Sequence, residues 1–186
     1  MFKNFTEKIR GIHSEINRSS RGFTLLEMLV VISIVVLLSS LLVIYSHTGE
    51  NQIVLFKDQS QLITILNRAK SLSIDSLQSS QPSCGFGVHF SKADNSFVIF
   101  RDLGADCQNA DHVYTDAGEI FESYKLSPNI NFQSITFTDI IFIPPDPTTL
   151  IDNNPNINDG TIILQSLDGS TSLKVKVNNF GQITTN

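Results

Sequence analysis

Three groups of side chains have types and spacings that bear on chemistry. Glu27 is a lone carboxylate inside an apolar run, with Arg21-Gly22 just before that run. Cys84 and Cys107 are the two cysteines. Asp102, Asp106, Gln108, Asn109 and Asp111 form an acidic and amide-rich run that continues to Asp116 and Glu119. Four histidines, His13, His47, His89 and His112, are scattered. No H-E-x-x-H, P-loop or G-x-G-x-x-G occurs, and no Ser/His/Asp or Cys/His spacing stands out. The sequence names no catalytic residue, and the chain reads as a non-enzyme.

Glu27 poses the sharpest question. Residues 28–45 are 18 positions without a charge, and residues 23–27 extend the stretch to 23. About 20 residues of helix cross a bilayer core at roughly 1.5 Å per residue. The stretch is therefore a membrane span, too long for the core of a cleaved secretory signal. Tyr45 falls where an interfacial aromatic is expected. A carboxylate at the centre of a membrane helix costs about 2.5–3.5 kcal/mol, and less near its end. Such a charge either reaches back to the interface or has a partner.

The charges give the span a direction. Residues 1–22 hold five Lys or Arg against two Glu, a net +3; the whole chain nets −5, so the remainder carries −8. That asymmetry sets the N-terminus in the cytoplasm and exports the rest. An acidic exported domain is a poor match to nucleic-acid phosphates.

Gly22-Phe23-Thr24-Leu25-Leu26-Glu27 followed by an apolar run resembles the class III signal of type IV prepilins and type II secretion pseudopilins. The resemblance implies that prepilin peptidase cuts between Gly22 and Phe23. It implies N-methylation of the new N-terminal residue, Phe23. Glu27 becomes the motif's acidic position, the fifth of the mature chain. In that family the carboxylate is thought to pair with the N-terminal amine of a neighbouring subunit. Attraction between such charges is far stronger in lipid-like surroundings than at a wet surface. Glu27 would then set the height of each subunit in a filament. The 22-residue leader is longer than those of many type IV pilins.

The exported side is an oxidising compartment, where Cys84 and Cys107 can pair, the alternative being two partly buried thiols. The acidic run offers oxygen ligands suited to calcium, with Asp102, Asp106 and Asp111 as candidates. Its spacing does not fit an EF-hand, and Asp and Asn are also ordinary turn formers. No other cofactor is implied.

The elements that must position these groups follow from periodicity. Leu55, Leu62, Ile65, Leu66, Ala69 and Leu72 form one apolar stripe at helical spacing. Lys57, Asp58, Gln61, Asn67, Arg68 and Lys70 lie between them as polar positions. No proline occurs between Phe23 and Gln81, so the spacing predicts a single long helix, with Gly49 the easiest place to bend and Gln81-Pro82-Ser83 its end. Beyond it, runs at 86–90, 96–101, 119–126, 130–143, 161–167 and 172–177 read as strands. Asp168-Gly169-Ser170 reads as the turn joining the last two. Residues 143–160, rich in Pro, Asn and Asp, read as an exposed loop. Asn179-Phe180-Gly181-Gln182-Ile183 is similar to the closing strand of H-type minor pseudopilins.

The expected fold is α+β: a long N-terminal helix, its first half transmembrane, packed on an antiparallel sheet. The expected divisions are a cytoplasmic leader (1–22), a transmembrane helix (23–46), an amphipathic continuation (47–80) and an exported head (81–186). The expected function is that of a pilin-like structural subunit, a minor one, of a type IV pilus or secretion pseudopilus. Its partners would be other pilin or pseudopilin subunits, prepilin peptidase, the inner-membrane assembly platform and lipid. Two rivals stay open: a minor pilin that captures DNA, and an anchored surface protein that forms no filament.

Overall fold

The apolar stripe, absence of proline and straight-chain residues of the N-terminal third favour helix. In the computed structural model they form α1, Leu25–Ser76. The structure describes residues 22–76, 83–104, 107–145 and 148–185, excluding the side chains of 44–48. The expected terminator Gln81-Pro82, the interfacial Tyr45 side chain and Asp106 lie outside what is described. Helical conformation continues through Gly49, the expected bend. The chain divides into two units, 1–43 and 44–186.

In the first unit, Leu25–Val43 is the single described stretch long and apolar enough to cross a membrane, and none of it is buried. Ser33 and Ser40 donate their hydroxyls to the carbonyls of Leu29 and Leu37, each at 2.8 Å. Those bonds satisfy these two hydroxyl protons within the helix itself.

The second unit sets the rest of α1 against nine strands: β1 Gly85–Ser91, β2 Ser96–Asp102, β3 Ile120–Lys125, β4 Ile130–Ile135, β5 Asp139–Ile143, β6 Thr148–Ile151, β7 Asp159–Ser166, β8 Ser172–Asn178 and β9 Ile183–Thr185. They form two sheets, not one. Sheet A has the order β3-β2-β1-β5-β6 and sheet B the order β4-β7-β8-β9. Every pairing is antiparallel.

One core unites helix and sheets. Leu55, Leu62, Ile65, Leu66 and Ala69 of the expected stripe are buried, and Leu72 is partly so. They meet Val88 and Ile99 of sheet A and Ile162 and Val175 of sheet B, all fully buried. Each such aliphatic chain contributes about 1.5–3 kcal/mol by burial. Phe90 lies at the junction, its ring 5.5–6.1 Å from those of Phe97, Phe132 and Phe137. Such edge-to-face and offset contacts add to the area buried.

The expected α+β arrangement, pilin-like in its order of elements, holds, with three further differences. The run 130–143 is two strands in different sheets. The chain leaves sheet B after Ile135 and enters sheet A at Asp139, once a bulge at Phe132/Ser134 has shifted its alternation. The loop expected at 143–160 contains β6, which pairs with β5 and buries Ile151 completely. Asp58, expected among exposed polar positions, is 2% exposed. Its carboxylate accepts both the backbone N–H and the hydroxyl of Ser127 at 2.8 Å, tying the helix to the β3–β4 turn.

Candidate functional site

The N-terminal segment is built from its capping residue. Thr24 precedes α1, and its Oγ1 accepts the backbone N–H of Glu27 at 3.2 Å. Its carbonyl accepts the N–H of Met28 at 3.2 Å, the first helical bond. Thr-x-x-Glu is the pattern of a capping box, so the stretch carrying the motif also starts the helix. Glu27 falls in the first turn, where the helix dipole favours an anion. Gly22 and Phe23 lie before the helix, exposed, with Phe23 74% open. A Cβ built on Gly22 meets nothing within 4 Å. The bond between them is therefore sterically open and outside helical hydrogen bonding.

The two cysteines form a disulfide, Cys84–Cys107. It fastens residues 107–116 over the face of sheet A turned away from the helix. Phe100 and Ile141 on that face are buried although they stand outside the main core. Tyr114 covers Phe100, its ring 5.9 Å from that of Phe100 and 4.5 Å from that of His89. Gly87 makes room, because a Cβ there would come within 2.5 Å of the Phe100 ring.

The acidic run is committed to this cover. Asp102, 1% exposed, accepts from His112 Nδ1 at 2.8 Å and from the Gly104 N–H at 3.3 Å. Asp111 accepts from the Thr115 hydroxyl at 3.0 Å, and Asp116 from the Gly118 N–H at 2.6 Å. Glu119 accepts the Thr115 N–H at 2.8 Å. Among the described residues no group of three or more His, Cys, Asp or Glu converges as a metal site would require.

Two histidine–carboxylate pairs escaped the sequence reading: His112–Asp102 and His89–Asp139, the latter at 2.9 Å. Their partners lie 10 and 50 residues apart in the chain, so no local spacing announces them. Each uses Nδ1, and among the described residues no hydroxyl or thiol is bonded to either Nε2. The helix carries further ties of the same long-range kind. Ser73 donates to the Phe142 carbonyl at 2.5 Å, and Gln59 to that of Lys174 at 3.2 Å. Arg68 pairs with Glu122, which also accepts from the Tyr124 hydroxyl. Burial, then the hydrogen bond and charge of Glu122, push the Tyr124 hydroxyl above its usual range.

Neither the curated proteins nor the solved structures contain a match to this chain. Residues 17–43 do match a family model, the prokaryotic N-terminal methylation motif. This is the prepilin-cleavage signature of type IV pilins and pseudopilins, families of structural subunits rather than enzymes. Over residues 17–43, then, the chain carries the signal of a type IV pilin- or pseudopilin-type subunit processed by prepilin peptidase.

Proposed function

We propose that this protein is a minor subunit of a type IV pilus or secretion pseudopilus, assembled through the apolar part of α1. The observation that carries the reading is the junction at Thr24. An exposed, non-helical Gly22-Phe23 bond abuts a capped helix whose next 19 residues, Leu25–Val43, are apolar and unburied. Prepilin peptidase cuts that bond on the cytoplasmic side, and the amine freed on Phe23 is methylated. The span holds the subunit in the membrane with its C-terminal unit exported. The assembly platform then moves it into the filament, where its Leu, Val and Ile side chains exchange lipid for neighbouring helices. Glu27 meets the cationic amine of an adjacent subunit, and a subunit at the wrong height leaves both charges unpaired in an apolar medium.

Glu27→Val tests this. The variant should insert in the membrane in normal amount, since losing a charge favours insertion. Its level in the sheared filament fraction should fall about tenfold or more, the effect of roughly 1.4 kcal/mol of lost pairing. Normal incorporation of the variant would instead mean that Glu27 does not set register, and absence of the unmodified protein from the filament fraction would mean that the span is only an anchor.

A further inference from the structure

Phe180 is 74% exposed at the head of a tight turn between β8 and β9. The turn is held firmly. Asn178 Oδ1 accepts the N–H groups of Phe180 at 3.1 Å and Gln182 at 2.9 Å. Gly181 adopts φ 67°, donates to the Asn178 carbonyl at 2.9 Å, and offers its own carbonyl to Lys70 Nζ at 3.2 Å. A large apolar ring is thus presented to solvent on a rigid support.

Beside the ring lies an open concavity of about 420 Å³ on the outer face of sheet B. That volume is within the range of small-ligand sites. The lining residues other than Phe180 have polar side chains that are uncharged on balance: Lys176 Nζ is neutralised by Asp159 at 2.7 Å. Amides complete the lining, and each retains hydrogen-bonding capacity. Asn178 Nδ2 donates to Gln182 Oε1 at 2.9 Å, which orients the Gln182 amide and leaves its Nε2 protons unused. Asn179 Nδ2 points to Asn158 Oδ1 at 3.4 Å, leaving Asn179 Oδ1 to accept and Asn158 Nδ2 to donate. Thr184 adds a hydroxyl able to do both.

We propose that this groove binds a neutral saccharide, stacking the C–H face of one pyranose ring on Phe180 and hydrogen-bonding its hydroxyls to the surrounding amides. A sugar hydroxyl both donates and accepts, which suits oriented amides better than a row of cations. A phosphate-bearing ligand is disfavoured because the one lysine in the groove is already paired. A protein partner is disfavoured because the lining of the groove, Phe180 apart, is built from polar side chains. Leu167, an exposed apolar residue past the opposite end of β7, is about seven residues or roughly 23 Å of strand away. Planar aromatic faces supply apolar contact area at low entropic cost, and polar groups around them give direction. The inference does not depend on the assembly role of α1.

The test is saturation-transfer NMR on the full chain in lipid nanodiscs, which avoids sugar-headed detergents. The four sugars used are cellobiose, lactose, mannobiose and N,N′-diacetylchitobiose. Transfer to the ring C–H protons of at least one is expected at millimolar concentration. Phe180→Ala should weaken that signal by about tenfold, the scale of one lost aromatic contact. Phe180→Trp and Leu167→Ala should retain it, and circular dichroism should show all three variants folded. No transfer to any of the four sugars, or equal transfer in Phe180→Ala, would overturn the proposal.

Discussion

The Thr24 hydroxyl oxygen accepts the backbone N–H of Glu27 at 3.2 Å. One hydrogen bond thus fixes both where the helix begins and where the carboxylate stands on it. Phe23 is left immediately outside the helix, so a charged amine created there sits about one turn from Glu27. On the proposed reading, cleavage and pairing would draw on the same few residues.

Gly22 has open space around its Cβ position, so a larger side chain there disturbs nothing in the chain itself. Gly22→Val should therefore leave folding and membrane insertion unchanged while the uncut precursor accumulates. An immunoblot of the membrane fraction separates precursor from mature chain by size. Normal maturation of this variant would show that the peptidase does not read Gly22.

Asp58 joins the helix to the β3–β4 turn through two bonds to Ser127, in a site 2% exposed. Asp58→Ala leaves the Ser127 N–H without an acceptor in a largely dry place. The expected loss is about 2–3 kcal/mol, because hydrogen bonds to a charged group are among the stronger ones. Asp58→Asn, which keeps an acceptor oxygen, should cost less. Urea unfolding followed by tyrosine near-UV signal in nanodiscs measures both.

The stripe on α1, most strands and the Asp168-Gly169-Ser170 turn were legible in the sequence because each is a local pattern. Asp58 was not, since its burial depends on Ser127, 69 residues away. The division of 130–143 between two sheets was hidden for a related reason. Apolar residues continue across Phe137, which is buried at 5% just as a strand residue would be. Only the partners on either side, β7 for β4 and β1 for β5, reveal the break. Strand β6 was obscured by flanking Pro and Asn, which mark turns whether or not a short strand lies between them. At the N-terminus the motif was fully readable, because peptidase recognition, capping and membrane insertion all act on contiguous residues.

The Cys84–Cys107 bond spans 23 positions and holds the cover over Phe100. Replacing both cysteines by serine should cost about 3 kcal/mol in the chain-entropy description. Hydrogen exchange should rise first at residues 107–116, before the strands beneath them. Uniform exchange across the second unit would mean that the bond stabilises globally, without a local cover.

Asp168 is held far below the usual carboxylate range. The Ser166 hydroxyl is the main cause, followed by the Ser170 N–H and hydroxyl, with a smaller contribution from Asn51. A depressed folded-state value means the charged form stabilises the fold at neutral pH. That stabilisation is complete above the unfolded value of about 3.9 and fades as pH falls below it. Asp168→Asn should therefore lower the urea midpoint at pH 7, with the gap from the unmodified chain closing below about pH 4. A gap that is constant with pH would assign the effect to turn shape alone.

Intact-mass spectrometry of the protein extracted from membranes tests the central claim most directly. The account predicts the mass of residues 23–186 plus the net CH2 added by one N-methylation, less the two hydrogens lost in forming the disulfide. A mass equal to the complete 186-residue chain would contradict it, and so would a cut at any bond other than Gly22-Phe23.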